Sequence, residues 1–204
     1  MNRLLLIAIA AVLSVIGVVG ALLYHQPLEP APTAAVTDPA TGAPTGRFVP
    51  MEGDFNRVAP VDGAGQPADM APYRGKALLV NLWATWCAPC IEELPSLGEL
   101  QRELGGENFQ VVTIAIDERD LSKIEPFLEK HGAGELPALI DRDRTIDTVA
   151  KIIALPTSLL VARDGTVKAK LTGDARWHCG KALEAVKAFI ADGTVMEDEL
   201  EKCE

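Results

Sequence analysis

Apolar positions along this chain come in two forms: short near-continuous runs, and stripes that recur every three or four residues. Ala77–Leu82 and Phe109–Ile116 are runs of strand length, the pattern of strands buried on both faces of a sheet. Between them Leu94, Leu97, Leu100 and Leu104 recur at helical spacing, which predicts a helix from Cys87 to about Leu104, ended by Gly105-Gly106. Pro95 falls inside it and predicts a kink. Asp117–Asp120 leads into a second helix, Leu121–Lys130, with Ile124, Phe127 and Leu128 on one face and Gly132 closing it. Leu136–Ile140 reads as a short extended segment, followed by a charged turn, Asp141–Arg144. A third helix, Thr145–Ile153, stops before Pro156. Thr157–Ala162 and Val167–Leu171 flank Arg163-Asp164-Gly165, a hairpin signal. Leu183, Val186 and Ile190 stripe a last helix, Gly180–Ala191.

Upstream of Ala77 the pattern is weaker. Asp62-Gly63 and Gly65-Gln66 mark a turn and suggest a short N-terminal hairpin added to the sheet. Ala68–Gly75 reads as a turn of helix entering the central strand. Strands alternating with helices, closed by an antiparallel hairpin, give an α/β architecture with a mixed central sheet flanked by helices.

One run stands apart from this domain. Leu4–Leu23 is apolar and carries no charge, and as a helix at about 1.5 Å per residue it spans roughly 30 Å, a bilayer core. Arg3 beside it keeps the N-terminus cytoplasmic under the positive-inside rule. A cleaved signal peptide is the alternative, but its apolar stretch is usually only about 7–15 residues, and Val18-Val19-Gly20 is a poor cleavage site. Either way the rest of the chain is exported. Gln26–Gly46 is rich in Pro, Ala and Thr without apolar period, so it forms a semi-extended spacer. The organisation expected is an anchor over residues 1–25, a linker over 26–46, a domain over 47–192 and a tail over 193–204.

Composition narrows the function. The chain has 204 residues and a formal net charge of −10, which argues against nucleic acid, whose phosphates select basic surfaces. Four cysteines are too few for a disulfide scaffold and enough for one catalytic and one structural pair.

The chemistry lies in Ala77–Pro95, where a strand leads through an aromatic loop into a helix that begins at Cys87-Ala88-Pro89-Cys90. A thiol at a helix N-terminus faces unsatisfied N–H groups and the positive end of the dipole, both of which favour the nucleophilic thiolate. Two intervening residues put the second sulfur within reach of the first, so one can attack a disulfide and the other resolve the mixed disulfide. The spacing also fits half of a zinc site, but Cys179 and Cys203 are distant and not paired at that spacing. Copper chaperoning through two soft sulfurs is a further alternative, weakened by the lack of His or Met in the loop.

The segment Val80–Pro95, with Trp83, Trp86, Cys87, Pro89, Cys90, Glu93 and Pro95, and the later Leu155-Pro156-Thr157, resembles the TlpA-like branch of membrane-anchored thioredoxin-fold thiol:disulfide oxidoreductases, relatives of the ResA-like and CcmG-like reductases. The element order agrees with the thioredoxin fold. The chain departs from thioredoxin at Asn81, where thioredoxins carry a buried Asp, and Glu93 is the nearest acidic substitute. What the resemblance implies is a periplasmic, inner-membrane-tethered reductase in which Cys87 attacks and Cys90 resolves. It also implies that Glu93 exchanges protons with Cys90 and that Pro156 forms a cis bond opposite the thiols. Trp86, Ala88, Pro89, Leu155 and Thr157 would face the substrate. It implies no metal or organic cofactor beyond the Cys87–Cys90 redox couple. The substrates would be disulfide-bearing cytochrome or copper-site apoproteins, and the electron donor a transmembrane protein of the CcdA or DsbD type. The direction of electron flow is left open, because a dithiol oxidase carries the same Cys-x-x-Cys.

Cys179 and Cys203 remain. If Val195–Cys203 forms a short helix running back along Gly180–Ala191, a structural disulfide between them is feasible, and export favours it. Unpaired thiols, or a second relay using His178, are the alternatives.

Overall fold

The computed structural model describes residues 46–116 and 121–200. The apolar run at 4–23, most of the linker and Cys203 lie outside the described residues, and within them no helix is long and apolar enough to cross a membrane.

Ten elements follow in order: β1 (Val49–Asp54), β2 (Ala77–Trp83), α1 (Ala88–Leu104), β3 (Phe109–Ala115), α2 (Ile124–Lys130), β4 (Ala138–Ile140), α3 (Asp147–Ala150), β5 (Thr157–Val161), β6 (Thr166–Thr172) and α4 (Gly180–Asp192). The strands form one sheet in the order β1-β6-β5-β2-β3-β4. β2, β3 and β4 run parallel, and β5, β6 and β1 add antiparallel on the other side. This is the mixed α/β sheet of a thioredoxin fold.

The near-continuous apolar run of β2 resolves into two faces. Leu79 and Trp83 pack with Leu94, Leu97 and Leu100 of α1 and with Ala185, Val186 and Phe189 of α4. Leu78, Val80 and Leu82 pack on the opposite side with Val112, Ile114, Val149 and Leu159. Two cores explain why the strand shows no polar alternation. Asn81 shares parity with Leu79 and Trp83, and it is the fully buried polar residue of that strand. Helix α1 continues through Pro95, and Gly98 lets it approach the end of α2 closely: a Cβ there would lie 2.5 Å from the Gly132 carbonyl oxygen.

Of three sequence expectations one holds and two are corrected. The N-terminal extension contains the expected short hairpin: Val61 and Pro67 bridge antiparallel across the turn, with the Asp62 N–H donating to the Gln66 carbonyl and the Ala68 N–H to the Pro60 carbonyl. Its one strand, β1, pairs with the open edge of β6, while the turn at Asp62 is closed by that side chain and docks on β4 through a Val61–Ile140 bridge. The third helix shrinks to Asp147–Ala150, because the Asp141 carboxylate takes the N–H groups of Thr145 and Ile146, and Lys151 turns left-handed at φ 47°. Residues 152 and 153 are irregular, and the chain bends over 154–156 before β5 begins. The tail is not helical over 195–200. Gly193 closes α4 at φ 82°, and the chain runs on to pair Glu199 with Arg47 and bury Leu200.

Candidate active site

The end of β2 delivers the chain to a tight turn, where the Cys87 N–H donates to the Ala84 carbonyl, and α1 starts immediately after. Cys87 is the N-cap residue, and Pro89 occupies the first turn, where its missing N–H costs nothing. Cys87 and Cys90 form a disulfide with Cα atoms 5.3 Å apart. Cys87 retains 6% exposure and Cys90 none, so an incoming disulfide meets Cys87 first.

Around this pair the two tryptophans diverge. Trp83 is fully buried and packs on Phe127 with ring centroids 5.5 Å apart. Trp86 is 62% exposed. With Cys87, Pro89, Arg144, Ile153 and Leu155 it lines an open groove beside the disulfide, and Ile153 is itself 48% exposed. Two large apolar side chains held in solvent beside a reactive pair form a surface suited to a peptide. The Leu155–Pro156 peptide is cis. Thr157 pairs with Leu82 across β5 and β2, which sets Pro156 at the strand end nearest the cysteines. Ala88 and Pro89 are exposed, while Pro156 and Thr157 are buried and Leu155 half-buried.

Beneath the pair lies Glu93, one helical turn past Cys90 and 1% exposed. Asn81 Nδ2 donates to its Oε1 at 2.7 Å. The Ala175 N–H and the Trp177 indole N–H donate to Oε2 at 3.2 and 3.0 Å. Burial pushes the carboxyl up to about 8; the donors from Asn81, Trp177 and Ala175 pull it down, and the Asp174 charge pushes it further up. The group can therefore hold or release a proton near neutral pH beside a thiol that must do the same. Ser96 ties the floor together, its hydroxyl donating to the Glu93 carbonyl at 2.8 Å and accepting from the Trp177 N–H at 3.3 Å.

The sequence points to Cys87, Cys90, Glu93, Trp86 and the 155–157 segment, and the structure gathers all of them at one end of the sheet. It misses Trp177, Ser96 and Ser158, and it registers Asn81 only as a departure from Asp. Trp177 sits in an aperiodic connection between β6 and α4, so no spacing signal could have joined it to Glu93. Cys179 caps α4 and is disulfide-bonded; Cys203, its expected partner, lies outside the described residues. His178 faces Glu99, its Nδ1 lying 3.2 Å from the carboxylate. Among the described residues no cluster of three or more His, Cys, Asp or Glu could hold a metal.

Known proteins resemble this arrangement. A family profile described as the AhpC/TSA family matches residues 51–170. The thiol-disulfide oxidoreductase ResA of Geobacillus kaustophilus is 32% identical over 127 residues, covering 62% of this chain and 72% of that protein. The Bacillus thuringiensis ResA is 29% identical over 113 residues; the match covers 55% of this chain and 64% of that protein, just under two thirds of its length. Among solved structures, a Chlorobium tepidum protein described as a thiol:disulfide interchange protein DsbE aligns at TM-score 0.59. It is 22% identical, and the alignment covers 69% of this chain and 99% of that one, a likeness of fold.

Proposed function

The chain belongs to the AhpC/TSA family and is a thiol-disulfide oxidoreductase, and on that premise we propose that it works in the reducing direction, tethered outside the cytoplasm. The observation that carries the exchange chemistry is the vertical order of the site, exposed Trp86, edge-exposed Cys87, buried Cys90, buried Glu93, and the direction is inferred from the resemblance of Val80–Pro95 to the ResA-like and CcmG-like reductases. The Cys87 thiolate attacks a substrate disulfide and releases one substrate thiol. Cys90 loses its proton to Glu93, attacks the mixed disulfide, and frees the second substrate thiol, leaving the enzyme oxidised. Two electrons pass from the cysteine pair to the substrate. Recharging reverses the proton path, with Glu93 returning a proton to Cys90 as it leaves.

The apolar run at 4–23 serves as the membrane tether in this reading, and residues 26–46 give the domain reach. The substrates are disulfide-bearing apoproteins of cytochrome or copper-site assembly, and the electrons come from a transmembrane dithiol donor. No metal or organic cofactor takes part, because the electrons reside in the sulfurs.

The test is the reduction potential, measured by equilibration with thiol–disulfide buffers. A value near that of thioredoxin, about −270 mV, supports the reductase; one near that of DsbA, about −120 mV, makes the protein an oxidase. Cys90→Ser, by stopping resolution, accumulates mixed disulfides whose protein partners identify the substrates.

A further inference from the structure

Both oxygens of Glu93 face donors. Oε2 receives the Ala175 N–H and the Trp177 indole N–H, and Oε1 receives Asn81 Nδ2. The same Nδ2 donates to Ser158 Oγ at 3.0 Å, across the Asn81–Ser158 register of β2 and β5. Asn81 Oδ1, fully buried, has no hydrogen-bond partner. This arrangement suits the carboxylate, which accepts and never donates. The neutral acid has one O–H that needs an acceptor, and a donor pointed at that O–H is repelled.

Oε2 is a poor place for the proton. The Ala175 N–H belongs to the backbone and cannot turn away. The Trp177 indole is fully buried, with Phe48 packed on it at a centroid distance of 6.2 Å, so it cannot swing. Oε1 faces a group that can adapt. Half a turn of the Asn81 amide exchanges Nδ2 for Oδ1, which then accepts from the Glu93 O–H. Ser158 adapts with it, since a hydroxyl donates as readily as it accepts.

We propose that Trp177 and Ala175 reserve Glu93 Oε2 as an acceptor, so that the exchangeable proton is carried on Oε1, and that the Asn81 amide turns to accept it whenever Glu93 is neutral. Asn81 and Trp177 are positioning residues: they select the oxygen that carries the proton, and Glu93 meets the thiol. The inference rests on the reading that Glu93 exchanges a proton with the cysteine pair, and it adds the atom and the two side chains that choose it. The charged and titratable groups around Glu93 are Asp174 from the β6–α4 connection and the Cys87–Cys90 pair at the head of its own helix; β2 and β5 contribute the neutral Asn81 and Ser158.

NMR on the full-length disulfide form tests this. The Glu93 carboxyl carbon, the Asn81 side-chain NH2 and the Trp177 indole N–H are followed from pH 5 to 10. All three share one midpoint, and the Asn81 NH2 shows a hydrogen bond to Glu93 only above it. The indole N–H stays hydrogen-bonded throughout, and in Glu93→Gln the Asn81 response disappears. An Asn81 NH2 that keeps one hydrogen-bonding state while the Glu93 carbon titrates overturns the proposal. So does an indole N–H released on protonation. Trp177→Phe removes one donor to the carboxylate and raises the Glu93 midpoint by about one unit, a tenfold change in proton affinity; an unmoved midpoint in the folded variant also counts against it. The wild-type titrations decide the matter without that variant. If Asn81 follows Glu93 while the pH profile of reductase turnover ignores both, the proton role assigned to Glu93 fails and the inference about its partners stands.

Discussion

The Trp177 indole N–H donates to Glu93 Oε2 at 3.0 Å, so the connection entering α4 forms the floor beneath the cysteine pair. Phe48 packs on that indole. Its neighbour Arg47 pairs with Glu199, and the Leu200 N–H donates to the Gly46 carbonyl. The entry to β1 and the tail after α4 therefore brace each other next to the residue that holds the site carboxyl. This places the added β1 strand and the extended tail in the support of the redox site as well as at the sheet edge.

Stability should fall with rising pH because of Glu93. Its carboxyl titrates near 4.5 when unfolded and near 8 when folded, raised chiefly by burial. Between those values the folded chain keeps a proton that the unfolded chain has lost. The contribution is therefore fully present below about 4.5 and is lost as pH rises through about 8. Thermal unfolding of the disulfide form should show a midpoint several degrees lower at pH 8 than at pH 5. Glu93→Gln should flatten that dependence, and an equally steep variant would place its cause elsewhere.

Cys87 should be the faster thiol of the reduced protein. Its N-cap position favours the thiolate, so it should titrate below the free-thiol value of about 8.5. Its edge exposure admits reagent, whereas Cys90 is closed off. Alkylation at pH 7 should modify Cys87 at least about tenfold faster than Cys90. Equal rates, or an ordinary pKa at Cys87, would remove the basis for calling it the nucleophile.

The sequence makes strands β2 to β6, α1, α4 and the β5–β6 hairpin legible, because each carries a periodic or near-continuous apolar signature that packing then uses, whereas β1 carries none. It leaves α3 too long and the tail helical, since both readings follow local pattern. Asp141 side-chain capping and the burial of Leu200 are tertiary effects. Cys87 and Cys90 are legible from spacing and placement. Glu93 is only half legible: its turn of helix is known, but whether it points inward depends on Asn81 and on Trp177, which arrives 84 positions later. Partners brought by a loop leave no period to read.

Cys179→Ser should cost stability while leaving turnover near normal. Cys179 is disulfide-bonded at the head of α4 and lies outside the redox pair. If its partner is Cys203, the closed loop would stabilise the chain by roughly 3 kcal/mol in the chain-entropy model. Peptide mapping of unreduced, alkylated protein identifies that partner, and free thiols at both positions would end the pairing. A thermal midpoint unchanged from wild type would show that the bridge constrains little.

Trp86→Ala should separate recognition from chemistry. The ring makes little use of the core, being 62% exposed, so its removal should change folding stability by no more than about 0.5 kcal/mol. It stands with Ile153 on the rim of the groove that reaches the disulfide. A protein substrate covers such a rim and gains from burying it, whereas a small aromatic disulfide reaches Cys87 without touching most of it. The loss of a buried aromatic contact is worth on the order of 1–2 kcal/mol, which corresponds to roughly a 5- to 30-fold rise in KM for a protein disulfide. The rate with a small disulfide reagent should stay within about twofold of the parent, because the Cys87 position and the Glu93 network are untouched. The double variant with Ile153→Ala should raise KM further for the protein substrate alone. An equal loss with both substrates would mean that Trp86 acts on Cys87 itself, and an equal KM with the protein substrate would remove the groove from recognition.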